Sequence, residues 1–567
     1  MQPDTERDAG PVPVAGAPRL SDHGIGSRPE EPAPAEVPAP GRRGGWVGRQ
    51  ARRLPPVMWV LTGLWGMLLA AGTILWPATY GLDESQHIDM TYAYSQSLHL
   101  YDPGELVWSA GVTGIQQYYV GHPPKRSMVT ATIPARGSRP SLGDLGGNQR
   151  VGIAENPMVQ HPPAYYLLAG AVLRVPGVAN LPFDQVIGLI RLFSLLCLLP
   201  LPALCWLTVR RLGGSEPIAL AAGMVPLGVP GLLRTGAVVT NDSLLVLGSS
   251  VLTYLLVRVL TGDLRRRTAA GVAVALAIAL LSKGLALVLP LVVAVSYLVA
   301  ARRYRARPLA PLGIAALGGV AGGLWYLRNL LRYDAVQPSG FHPGYDGQVY
   351  GPATFNGRLA NFVPGFLRGF FGRMFDGLGI PDKPAQAPLL VWGWIAILAI
   401  GLLVTVLVRR PPPLTRATAV VLLLPFTLAS LLIFTGSWGD YHRYGVFTGV
   451  HGRYAYLGIA GLVAVAVTGL GQLIAPAFHR RLPLAVFAAA LLTELTAFVV
   501  INDDWFTLGQ DTLVGRLHQG AATMLRISPW PAPLTALPFV AAAGLTVACL
   551  VLLVRQARVE PTVDTAS

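Results

Sequence analysis

The chain has 567 residues, 52% of them hydrophobic and only 13% charged, with 44 Lys+Arg against 29 Asp+Glu for a formal charge of +15. Soluble domains carry about 25% charged residues, so this composition excludes a string of soluble domains. The basic surplus sits in short clusters at the ends of apolar runs, such as Arg210 and Arg211, Arg409 and Arg410, and Arg480 and Arg481. That is the positive-inside pattern of a membrane protein and argues against nucleic acid as a partner.

Residues 1–54 are rich in Pro, Ala, Glu and Gly and end in an arginine cluster. Such a segment cannot bury a core and is expected to be a disordered cytoplasmic tail. The first apolar run, 56–76, is long enough to cross a ~30 Å hydrocarbon layer. A long polar stretch, 77–163, follows it. Further spans are expected at 186–209, 216–234, 243–260, 269–282, 284–300, 309–327, 389–408, 417–435, 454–474, 482–501 and 533–554. Without period-2 alternation these runs must be helices, because lipid offers backbone groups no partner. The fold class is therefore an all-α polytopic membrane protein of about twelve spans. Residues 164–176 are too short to cross and are expected to form an interfacial or re-entrant helix. The polar break at Ser282 and Lys283 separates two short helices rather than interrupting one. The arginine clusters then put both termini, including a tail at 557–567, in the cytoplasm of an inner-membrane protein. Loops 77–185 and 328–388 fall outside. Cys197, Cys205 and Cys549 lie in apolar runs as small hydrophobes, with neither disulfide framework nor metal spacing.

With sides assigned this way, the remaining ionisable residues gather on the outer face. Charge beside hydrocarbon is costly and usually functional. Asp83 and Glu84 follow the first span in GLDESQH, with His87 one helical turn on. They read either as a general base for a hydroxyl or as a helix cap and solvated loop. His161 opens HPPAYY, where the prolines force an extended entry and the tyrosines suit an interface. Asn241 and Asp242 in TNDSL either cap the helix that follows or serve catalysis or a metal. Lys283, alone between short helices, needs an anionic partner or water; a ligand phosphate accepts several charge-assisted bonds and suits it, whereas snorkelling would make it structural. Arg328 ends a span in WYLRN, and Arg443, Arg453 and Tyr454 lie in a Tyr- and His-rich stretch. Aromatics beside cations suit a sugar, although interface belts use Tyr as well. No phosphate-binding glycine loop, HExxH or GxSxG is present.

In order, GLDESQH, HPPAYYLL, RLFSLL, TNDSL, LSKGL, WYLRN and HGRYAY resemble the GT-C superfamily of membrane glycosyltransferases. The likeness is to the bacterial and actinobacterial branch related to protein O-mannosyltransferases and aminoarabinose transferases, over roughly residues 56–460. The resemblance implies a transmembrane catalytic module, 55–460, followed by C-terminal transmembrane helices, 461–556. It implies a sugar donor carried on polyprenyl phosphate and a glycan, lipid or protein acceptor among the membrane lipids. It makes Asp83 the base, with Glu84 its neighbour and substitute. Lys283, Arg328 and Arg453 would hold the phosphate, and Asp242 is a candidate ligand for a divalent cation. Asp83, Lys283, Arg328 and Arg453 are thus expected to converge on one outer-face cavity, with Lys283 hydrated in the absence of ligand. No DxD-type pair makes metal dependence secure, so the transfer is read as metal-optional, with a divalent cation as the possible cofactor. The rivals are a lipid-linked glycan flippase and a non-catalytic envelope-assembly protein.

Overall fold

The computed structural model describes residues 54–119, 128–338, 357–375, 387–408 and 414–558. Most of the two expected tails and much of the expected outer loop 328–388 lie outside the described residues.

Among the described residues, ten helical stretches are long and apolar enough to cross a membrane. The first is α1, Pro56–Leu75, twenty residues without an acidic or basic side chain. It leads into a segment built from α2, Glu84–Gln96, a two-stranded antiparallel ribbon, β1 Val107–Ser109 with β2 Arg150–Glu155, and α3, Ala110–Tyr119. Asp89 ties this segment together. Its buried carboxylate accepts from Ser109 N–H at 3.1 Å, from Arg150 at 3.1 Å and from Asn156 Nδ2 at 3.0 Å, so helix and ribbon share one satisfied charge.

α4, Ala164–Leu173, has ten residues. At 1.5 Å per residue it reaches only about 15 Å, so it does not span. Its tyrosines depart from the interfacial expectation. Tyr165 and Tyr166 are both 0% exposed, and each hydroxyl is used inside the bundle, Tyr165 with Ser194 Oγ at 2.8 Å and Tyr166 with His87 Nδ1 at 2.9 Å. A buried phenol needs such a partner.

α5, Phe183–Leu198, and α6, Leu201–Arg211, form one spanning stretch. The span expected at 216–234 is instead broken: the stretch Glu216–Gly228 and α8, Pro230–Ala237, meet at 67°. Pro230 lacks the N–H that a continuous helix needs and clashes with the turn before it. α7, Glu216–Met224, is the regular part of the first arm. Counting this pair as one crossing gives up to eleven spans. The twelfth expected span is α10, Arg266–Leu280, only fifteen residues long. It pairs with α9, Asp242–Leu260, and α12, Leu309–Tyr333. Lys283 stands between α10 and the tight turn Gly284–Val288 that opens α11, Leu289–Tyr304, so the two-helix reading of that break is met.

The rest of the bundle comprises α13, Leu359–Phe375, α14, Pro388–Leu407, α15, Arg416–Tyr444, α16, Ile459–Leu473, and α17, Leu482–Ile501, then α18, Leu513–Ile527, and α19, Ala532–Arg558. α13 turns Phe362, Phe366 and Phe370 onto α15, the i, i+4 spacing of one helix face. α19 returns to pack on α1.

Candidate functional site

Several chain breaks place side chains close to one another. They are the loop before α2, the HPP entry to α4, the start of α9, the break after α10, and the turn Gly452–Gly458 that opens α16. The entry to α4 is stitched to the break by a backbone bond, Ala164 N–H to Leu281 C=O, at 3.3 Å. Asn241 Nδ2 stitches the start of α9 to the same break by donating to Ser282 C=O at 3.0 Å.

At the centre runs an alternating chain of four charges. Asp83 accepts from Arg453 Nη2 at 2.6 Å. The Nε of Arg453 lies 3.6 Å from Asp242 Oδ2, too long for a hydrogen bond. Asp242 Oδ1 accepts from Lys283 Nζ at 2.6 Å. Tyr454 lies beside both cations, with Lys283 Nζ 4.6 Å and the Arg453 guanidinium 5.1 Å from its ring centroid, a cation–π arrangement. Exposure divides the four unequally. The side chain of Asp83 is 42% exposed, whereas those of Arg453, Lys283 and Asp242 are below 10%. Asp83 is the open end of a buried chain.

The backbone is set for this. Asp83 is left-handed, φ 57° and ψ 15°, a setting that residues other than glycine hold only where their surroundings impose it. Gly452, just before Arg453, lies so close to α13 that a Cβ would meet Phe370 O at 2.3 Å. The glycine of HGRY thus lets the arginine turn approach α13. Burial alone would raise the pKa of Asp83, but the Arg453 guanidinium, aided by His87 and Lys283, holds its carboxyl well below the usual carboxylate range. Burial pushes the His87 imidazole down to about 3 and lowers that of His161 strongly, with the Lys283 charge adding to both. Both therefore stand neutral at pH 7.

Not every residue singled out in the sequence joins this cluster. Glu84 is 0% exposed and fully engaged elsewhere: Arg191 donates to it from Nε at 2.8 Å and from Nη2 at 2.7 Å, and the N–H groups of Gly81 and Val239 donate at 3.0 and 2.9 Å. With both oxygens satisfied it is poorly suited to take a substrate proton in place of Asp83. Arg328 was expected beside Asp83. It bonds Asp102 at 3.4 Å and Asn329 Oδ1 at 3.0 Å, together with Arg332 and Tyr333 on the same carboxylate. The reason is local: the 97–106 segment brings an acid to the end of α12. Arg443 is exposed in the last turn of α15. Lys283 was expected hydrated, but Asp242 supplies its anionic partner from within the protein. His161 Nδ1, Asn241 Oδ1, Asp242 Oδ2 and Arg453 Nε are buried with no hydrogen-bond partner, leaving polar capacity inside the cluster.

The donor set does not suit a divalent cation. One oxygen of Asp242 is bonded to a lysine and the other faces an arginine, and a cation placed there would meet two positive charges. Among the described residues no group of three His, Cys, Asp or Glu could hold a metal.

Sequence reasoning missed Arg191, Asp89 and Arg234. Arg191 lay inside the quoted RLFSLL, and its signal was a charge in an apolar helix. Arg234, 7% exposed, sits over Trp76 at 5.4 Å.

Residues 160–322 match the family model of the dolichyl-phosphate-mannose-protein mannosyltransferases. No curated protein matches the chain in sequence. Solved structures similar to it include ArnT from Cupriavidus metallidurans bound to undecaprenyl phosphate, at 14% identity and TM-score 0.41, covering 89% of this chain and 78% of ArnT. The apo form of that protein gives 15% and 0.43, covering 87% and 76%. The Archaeoglobus fulgidus oligosaccharyltransferase gives 13% and 0.37, covering 82% and 56%. The family match includes the positions of His161, Asn241, Asp242 and Lys283, and the chain is similar over that stretch to these mannosyltransferases.

Proposed function

We propose that this protein moves a sugar from a polyprenyl-phosphate-linked donor to a cell-envelope acceptor, glycan, lipid or protein, on the outer face of the inner membrane. Both termini would be cytoplasmic, with α10 making the twelfth crossing, and residues 55–460 would form the catalytic module. The observation that carries the reading is the convergence of an accessible carboxylate, Asp83, with two buried cations, Arg453 and Lys283, across Asp242. An accessible acid beside cations is what displacement at an anomeric carbon with a phosphate leaving group requires.

In the step itself, Asp83 accepts the proton of the acceptor hydroxyl as that oxygen bonds to the anomeric carbon. The bond from that carbon to the phosphate oxygen breaks, with inversion. Polyprenyl phosphate leaves with the electron pair, and its charge is held by Lys283 and Arg453. Tyr454, already beside both cations, would stack on the sugar, and His161 would meet it as a neutral imidazole. Nucleotide sugars and ATP are not available outside the cytoplasm, which is why an outward-facing transferase draws on a donor that crosses on lipid. The four charges of the cluster sit at helix starts and breaks, a placement that favours this reading over a flippase.

The test is a deletion strain compared with one expressing Asp83→Asn. Both should accumulate the same lipid-linked sugar, which the wild-type gene should clear. Accumulation in neither would end the transferase reading.

A further inference from the structure

Arg453 is committed twice. Its Nη2 is bonded to Asp83 at 2.6 Å, while its Nε faces Asp242 Oδ2 at 3.6 Å with neither atom hydrogen-bonded. A movement of about half an ångström would bring Nε into hydrogen-bonding range of Asp242. The guanidinium is buried and stacked on Tyr454, whereas Asp83 is the exposed partner on a left-handed residue. Of the two, the aspartate is the one free to leave.

This matters because a base and a phosphate cannot both use one guanidinium. As it stands, Asp83 has an oxygen occupied by Arg453 and a carboxyl held far too acidic to take a proton efficiently. A phosphate reaching Lys283 and Arg453 competes with Asp83 for that arginine. We infer that Arg453 is a shared counter-ion that exchanges Asp83 for the donor's phosphate, so that donor binding unmasks the base. Arg453 is then a positioning residue for Asp83 as well as an anchor for the leaving group, and donor must bind before acceptor can be activated. The groups facing Asp83 are Arg453 and His451 from the HGRY turn, His87 on its own helix, Lys283 beyond, and Asp242 and His161 behind them. Of these, Arg453 alone both touches Asp83 and faces a second carboxylate. This inference rests on the transferase reading above.

The experiment measures the affinity of the full-length protein in lipid nanodiscs for undecaprenyl phosphate without sugar. Wild type, Asp83→Asn and Lys283→Ala are compared, with proton uptake on binding followed near pH 4.5 in buffers of different ionisation enthalpy. Asp83→Asn should bind about fivefold or more tightly than wild type, the usual scale for coupling between two ligands of one group, although it is inactive. Wild type should take up more protons than Asp83→Asn, because the freed carboxylate regains its ordinary basicity. Lys283→Ala should bind more weakly. Undecaprenyl phosphate that binds wild type and Asp83→Asn equally, with equal proton uptake, would overturn the exchange and leave the transferase reading standing. No binding to wild type would overturn both. Inorganic phosphate giving the same proton uptake would assign the exchange to any free anion and overturn the donor's part in it. Should Asp83→Asn fail to fold, Arg453→Lys serves instead: it cannot reach two carboxylates at once, and its proton uptake should fall to a small fraction of the wild-type value. Wild-type uptake in that variant would overturn the exchange.

Discussion

Glu84 and Arg191 face each other as a two-bond pair, Nε to Oε1 at 2.8 Å and Nη2 to Oε2 at 2.7 Å, with both side chains almost wholly buried. The remaining Arg191 hydrogens go to the carbonyls of Thr73, Trp76 and Pro77 at 2.6–3.0 Å, which closes the end of α1. Glu84→Gln should therefore act on folding rather than on chemistry. Removing one partner of a buried pair costs roughly 3–5 kcal/mol. Thermal unfolding in detergent should show a clear drop for Glu84→Gln, and a comparable drop for Arg191→Lys, since lysine cannot reproduce the fork. A stable, inactive Glu84→Gln would return this residue to the chemistry.

Asp83→Asn should give the opposite profile. The side chain is the exposed end of the charge chain, so the variant should insert and unfold like wild type. Its turnover of a lipid-linked donor should fall 10²–10⁴-fold, as for loss of a general base. Turnover within a few-fold of wild type, in a correctly folded variant, would remove Asp83 from the mechanism.

Lys283→Ala combines the two behaviours, because Lys283 is bonded to buried Asp242. The single variant leaves Asp242 facing only Arg453 and should lose stability. Lys283→Ala with Asp242→Asn removes both charges and should recover much of that loss, a coupling that a double-mutant cycle measures. Donor binding should stay weak in the double variant. Full recovery of donor use alongside stability would make the lysine purely structural.

Three imidazoles, two of them buried, set an acid limit on stability. Burial, with added cationic neighbours, pushes His87 and His451 down to about 3 and lowers His161 in the same direction. Between about 3 and the ordinary 6.5, the folded protein therefore binds fewer protons than the unfolded chain, and stability falls as pH falls through that window. Melting temperature in detergent should decline from about pH 6.5 downward, and His87→Gln should flatten the slope. A melting temperature constant from pH 7 to 4 would contradict the neutral assignments.

The orientation of the whole scheme can be tested apart from any site. Reporter fusions at Gly147 and Pro412 should give opposite signals, outer and cytoplasmic. Equal signals would remove the outer-face assignment.

Helix ends were readable wherever an apolar run met an arginine cluster, because desolvation leaves so little freedom there. The break at Ser282 and Lys283 was readable differently, from a lone polar pair between two apolar runs whose far ends carry arginine clusters. The bend at Gly228 to Pro230 was hidden, since its two arms add up to one apolar run and only the proline signalled a fault. For the cluster, sequence could collect Asp83, Asp242, Lys283 and Arg453 on one side but could not pair them. Pairing depends on which buried charges find partners within the protein, and Glu84 and Arg328 found theirs in Arg191 and Asp102. His161 and Asn241 were legible as polar residues at helix ends, but not as carriers of unused hydrogen-bonding capacity.

The separations within these pairs bear on biosynthesis. Glu84 waits 107 residues for Arg191, and Asp83 waits 370 residues for Arg453. At ordinary elongation rates the second interval is about 20–70 s. During that time Glu84 can already hold Arg191 while the Asp83 carboxylate lacks Arg453. A product truncated before the HGRY turn would carry Asp83 without its Arg453 partner. Competence arrives late, with the segment that supplies Arg453.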